Sequence, residues 1–241
     1  MDEQRTTLVS VRGEARMTVA PDFGVLNGTL EATEDTKPAA LTTVAGALRQ
    51  LTDAVGSLGG VRRTADSQRS ALTWSAYSAT TQPEYDVDER THGHRPTGRV
   101  IAQVAVSLVV REFDLVDRLT AALATHEAFD VTYVSWGVDP DNPSWPEVRA
   151  EAVQAAIDKG RHYASALGGS LNRLEQIADA GLLERGSGAY ASDSNVSRMA
   201  ARASAVGMPE TPSLDPVPQE LVAVVDARFV ADVPDLAGRG A

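Results

Sequence analysis

From Val9 to Val19 apolar or small residues (Val9, Val11, Gly13, Ala15, Met17, Val19) alternate with polar ones (Ser10, Arg12, Glu14, Arg16, Thr18). A period of two over this length predicts a strand with one wet face. Pro21-Asp22 interrupts the alternation, which resumes with Gly24, Leu26, Gly28, Leu30 and Ala32 against Asn27, Thr29, Glu31 and Thr33. The simplest expectation is an antiparallel hairpin turning at Pro21-Asp22. The period then changes. Leu41, Val44, Ala45, Leu48, Leu51, Val55 and Leu58 recur at three-and-four spacing, between Thr36-Lys37-Pro38 and Leu58-Gly59-Gly60. A hydroxyl cap, a first-turn proline and a terminal glycine pair are the start and stop signals of a helix.

Beyond that helix, Arg63 to Thr81 reads as a long, rather polar strand carrying Leu72, Trp74 and Tyr77, followed by a charged loop from Pro83 to Thr97. Gly98 opens the most hydrophobic strand, apolar on both sides (Val100, Ala102, Val104, Val106, Leu108, Val110 against Ile101, Ala105, Val109), which predicts a central position. Asp114 is placed to cap a shorter helix carrying Leu115, Val116, Leu119 and Leu123, and a strand from Val131 to Val138 follows. Ser144-Trp145-Pro146-Glu147 reads as a capping box opening a second long helix that stops at Leu167-Gly168-Gly169. A strand from Leu171 to Leu183 comes next. Residues 184–219 are rich in Gly, Ser, Ala and Pro and read as a long loop or arm, with room for a short helix from Met199 to Val206. Leu221 to Val230 closes the chain as a strand before a frayed tail, 233–241.

The order ββαββαβαββ predicts an α+β protein, with antiparallel or mixed sheets packed on two long helices and one shorter helix. The matched punctuation of the long helices suggests two related halves, 7–111 and 112–232, within a single domain spanning 1–241. Composition narrows function by exclusion. The chain has 241 residues and no cysteine, which removes disulfides, thiolate metal sites and cysteine nucleophiles. A formal net charge of −11 disfavours binding to a phosphate backbone. The polar start and the want of an apolar run near ~20 residues lead to an expectation of a soluble, cytoplasmic protein with no membrane span.

Four places resemble the SIMPL domain family. They are Val11-Arg12-Gly13-Glu14-Ala15 with Val19-Ala20-Pro21-Asp22, Gly98 heading the valine-rich strand, Arg149-Ala150-Glu151-Ala152 with the alanines behind it, and the proline-studded approach Pro212 to Pro218. The resemblance implies surface, periplasmic or stress-associated proteins, some of them ring-like or channel-like homo-oligomers. It supplies no catalytic residue set and no cofactor.

Candidate chemistry is sparse. His92-Gly93-His94, with Asp86, Asp88 and Glu89 upstream, is the only local histidine pair, and it is expected to be a solvated loop rather than a metal site. His126 and His162 are isolated. Asp139, Asp141 and Asn142 resemble a calcium-loop start without its later ligands, so a turn is expected. Trp74, Trp136 and Trp145 read as packing residues, and the small face Ala152, Ala156, Gly160, Ala164 invites close approach of the chain's own sheet, a neighbouring subunit, or both. No catalytic, cofactor-binding or metal residue is expected. Trp74, Tyr77, Tyr85, Met199 and Met208 are the expected interaction surface. The leading expectation is a non-enzymatic, self-associating scaffold; the alternative is a small-molecule or protein-binding module in stress response.

Overall fold

The computed structural model describes residues 6–88, 93–183 and 215–234. The chain divides into two compact units. The first contains β1 (Thr6–Val19), α3 (Ser144–Ala166), β7 (Ser170–Asp179) and β8 (Gln219–Asp232); the second contains β2 (Phe23–Glu34), α1 (Lys37–Ser57), β3 (Val61–Arg62), β4 (Leu72–Asp88), β5 (Gly93–Val110), α2 (Val116–Ala124) and β6 (Phe129–Gly137). The α+β class and the element order hold, with the two-residue β3 added.

In the first unit the sheet order is β1-β8-β7, antiparallel throughout. The odd residues of β1 and β8 face α3 and are largely buried, among them Val9, Val11, Val225, Ala227 and Phe229. The small stripe of α3 (Ala152, Ala156, Gly160, Ala164) is buried against this sheet, so the close approach expected of it is made within the chain. Gly13 has to be glycine: a Cβ there would meet Ala152 O and Ala156 N at 2.1 and 2.6 Å.

In the second unit the order is β3-β4-β5-β2-β6, and β5 is central as expected. The core joins Leu26 and Leu30 of β2, Leu72 of β4, Val106, Leu108 and Val110 of β5, Val44, Leu51 and Val55 of α1, and Leu119 of α2. Burying each such side chain contributes roughly 1.5–3 kcal/mol. Thr36 caps α1 by accepting from Ala39 N–H at 3.3 Å, and Gly59 ends the helix at φ +80°. That left-handed turn is matched after α3 by Gly168, also at φ +80°. Both units pack a long helix on an antiparallel pair whose second strand adjoins a further strand, α3 with β7, β8 and β1 in one and α1 with β4, β5 and β2 in the other; β2 leads directly into α1, whereas β2 to β6 separate β1 from α3 in the chain.

Five local expectations are corrected. β1 and β2 form no hairpin: β1 pairs with β8, and β2 lies between β5 and β6. Residues 63–71 are not strand, because Ser67 folds them into a turn. Its Oγ accepts from Thr64 N–H at 2.7 Å and donates to Arg62 O at 2.9 Å. The expected charged loop, Pro83 to Thr97, falls within β4 and β5 apart from residues 89–92, which lie outside the described residues together with His92. Asp114 makes no side-chain cap; a 3-10 turn, Phe113–Leu115, leads into α2 instead. Nor does Ser144 form a capping box. It is the first residue of α3, and Asn142 Oδ1 accepts its N–H at 2.9 Å.

Candidate interaction surface

A strand at the end of a sheet presents unpaired N–H and C=O groups, a template for another strand unless the edge is blunted. Among the described residues β1, β7, β3 and β6 stand at sheet ends, and β4 is open beyond the two residues that β3 covers. β7 carries two register irregularities against β8, which leave Asn172 and Glu175 unmatched. β6 leaves Thr132 unmatched against β2. β4 leaves Tyr77 and Glu84 unmatched against β5 and contains Pro83, while β3 covers it only at Thr73 and Trp74. Bulges and proline spoil the repeat that an incoming strand would need. β1 differs from all of these. Its pairing with β8 runs unbroken from Thr6 opposite Asp232 to Val19 opposite Gln219, and it contains no proline.

The solvent-side residues of β1 are held by ion pairs to β8 and along the strand itself. Arg12 donates to Asp226 through Nε at 2.7 Å and Nη2 at 3.1 Å, and Asp226 also accepts Gly181 N–H at 2.8 Å. The Arg12 guanidinium, foremost, and the Gly181 amide hold the Asp226 carboxyl below the usual carboxylate range, against the opposing effect of burial. Arg16 pairs with Glu14 at 2.7 Å and with Glu220 at 3.3 Å. Lys159 of α3 reaches the strand itself and donates to Arg12 O at 2.7 Å.

A second cluster ties together one end of the larger sheet. Arg111, just past β5, makes a two-pronged pair with Asp139 at 2.7 and 3.1 Å, donates to Gln68 O at 2.9 Å and lies over the Phe23 ring at 5.2 Å. Asp139 also pairs with Arg69 at 3.3 Å, and its N–H donates to Asp22 at 2.7 Å. Arg111 is the main cause of the lowered Asp139 pKa. These groups join the starts and ends of β2, β4, β5 and β6. The expected turn at Asp139 is therefore also a charged staple, which no local spacing announces because Arg111 and Asp139 meet only in the fold.

Trp74 is half-buried beside the core, with Arg62 over its ring at 5.8 Å. Tyr77 and Tyr85 are 64% and 54% exposed on the same strand. At ~3.3 Å per residue, Trp74 and Tyr85 stand about 36 Å apart along β4. Met199 and Met208 lie outside the described residues. Trp136 packs edge-on against Phe113 at 5.3 Å, and Trp145 is buried in the other unit beneath Arg149. His126 ends the turn after α2, and His162 is exposed on α3. Among the described residues no three His, Asp or Glu side chains gather as a metal site would require, and no helix is long and apolar enough to cross a membrane.

Residues 9–229 match a family model described as SIMPL, protein of unknown function (DUF541). No curated protein matches the chain.

Proposed function

Since the chain belongs to the SIMPL family of proteins of unknown function, its role has to be read from its own surface, and we propose a non-enzymatic, self-associating scaffold or assembly protein. The observation that supports this is the outer edge of β1, a fourteen-residue strand without bulge or proline at the end of its sheet. Long, regular sheet edges are a common means of joining copies. Light scattering across a wide concentration range tests the reading. It predicts a particle heavier than the 25.5 kDa chain, and a strictly monomeric particle at every concentration ends it. We place the assembly in the cytoplasm, which cell fractionation with an antibody to the chain would check.

A second reading is favoured by the exposure of Tyr77 and Tyr85 on β4. On it the chain is a binding module in stress response, and the long spacing of these rings suits a protein partner better than one small ligand. Loss of a co-purified partner on Tyr77→Ala with Tyr85→Ala supports it; an unchanged set of partners counts against it.

A further inference from the structure

We propose that two copies of the chain join through their β1 strands, antiparallel and edge to edge, with Gly13 opposite Gly13 at the two-fold axis. The proposal rests on the self-association reading and supplies its partner and register.

Three observations carry it. The first is the edge itself, which is long, regular and at the end of the β1-β8-β7 sheet. The second is the division of faces. The odd residues of β1 turn toward α3, and the even ones from Leu8 to Thr18 are exposed. A joined sheet keeps its apolar face continuous only if even residues oppose even ones and odd oppose odd, since a one-residue slip exchanges the faces.

The third is the order of the residues. Centred on Gly13, the strand is its own complement. Arg12 opposes Glu14, Ser10 opposes Arg16, Val11 opposes Ala15 and Val9 opposes Met17, each pair occurring twice. The overlap runs from Thr7 to Val19, nearly the whole strand. The neighbouring registers that preserve the faces fare worse. Centring on Arg12 sets Arg12 against Arg12. Centring on Glu14 sets Glu14 against Glu14 and Arg12 against Arg16. Opposite charges directly across a strand pair stabilise it, and like charges destabilise it. Of the registers centred on Arg12, Gly13, Glu14 and Ala15, those on Gly13 and Ala15 set Arg against Glu without a like-charge pair, and the Gly13 register keeps the longer overlap, Thr7 to Val19 against Val11 to Val19.

Lys159 fits this arrangement as a guard. Its ammonium sits on Arg12 O at 2.7 Å, so a charge attends the edge of the isolated chain. Such a charge works against indiscriminate strand addition. A backbone carbonyl has two lone pairs, so it can accept an incoming amide without first losing the lysine.

The chain has no native cysteine, so introduced thiols are the only ones present. Full-length Ser10→Cys and Arg16→Cys variants are prepared separately, checked for native circular dichroism, then mixed and mildly oxidised. Opposed residues of an antiparallel pair lie ~4.5–5.5 Å apart at Cα, within disulfide reach. In a dimer of the Ser10→Cys variant alone, the two thiols would be about 20 Å apart along the strand. The expected result is a cross-linked dimer in the mixture and none in either variant alone. Cross-linking of Ser10→Cys with Glu14→Cys instead would overturn the register. If the native mass exceeds one chain but no β1 cross-link forms, the β1 interface is wrong while self-association stands. A single-chain mass at all concentrations overturns both.

Discussion

Replacing Gly13 by alanine asks β1 to carry a methyl group where α3 leaves no room. The added Cβ would lie 2.1 Å from Ala152 O, 2.6 Å from Ala156 N and 2.8 Å from Ala156 Cβ. Two of these are backbone atoms of the helix, so no side-chain rotation relieves the contact. Ordinary contact begins at 3.4 Å, so α3 must withdraw by 1.3 Å (3.4 − 2.1) at its closest point. A gap of ~0.5–1 Å already forfeits a quarter to a half of the attraction between packed atoms. Val148, Ala152 and Ala156, all fully buried, would feel it together. Overpacking costs ~1–3 kcal/mol, and a clash with backbone belongs at the upper end, about 3 kcal/mol. Urea unfolding followed by circular dichroism reads the loss. Gly46→Ala is the control: within α1 its nearest neighbour is Arg49 Nη2 at 3.9 Å, so helix propensity should raise stability by up to ~1 kcal/mol. If Gly13→Ala unfolds at the parent's urea midpoint, the close approach of α3 and β1 described above is wrong.

Other outcomes follow from the same structure. The depressed Asp226 pKa means that the carboxylate stabilises the fold fully above its unfolded pKa of ~4, and that this contribution fades as pH falls through the lower folded value. Asp226→Asn should therefore be less stable near neutrality and lose less on acidification, as urea midpoints at several pH values would show. Leu30, fully buried in the core of the larger sheet, should cost ~2–5 kcal/mol when cut to alanine, measured as a lowered unfolding midpoint. Lys159→Ala removes the charge on the β1 edge and should raise turbidity on concentration; unchanged solubility would deny Lys159 a guarding role.

Much of the fold is legible in the sequence because local signals agree with it. Thr36 and Gly59 bound α1 as expected, although Leu41 and Ala45 of the expected stripe are exposed and Ala40 is buried instead. Strand pairing is another matter. Alternation marks β1 as a strand, but its partner lies more than two hundred residues away, with Val11 opposite Ala227. Nothing local distinguishes that from a hairpin with β2. The β4–β5 ribbon beyond β2 reads as a loop in the sequence for a physical reason. β2 reaches β5 only as far as Val100, so residues past it have no core face and no apolar alternation to betray them. For an interaction surface the sequence points to aromatic residues on β4. The unbroken edge of β1 stays hidden there, because bulges in its rivals become visible only once registers are known.

Hydrogen exchange along β1, compared in dilute and concentrated samples of the unaltered chain, addresses the assembly edge most directly. Backbone amides on the outer side of Thr7 to Val19 should slow as copies join, while those of the bulged strands β6 and β7 keep their rates. A rise in native mass that leaves β1 exchange unchanged, or slows β6 or β7 instead, would show that the copies meet elsewhere.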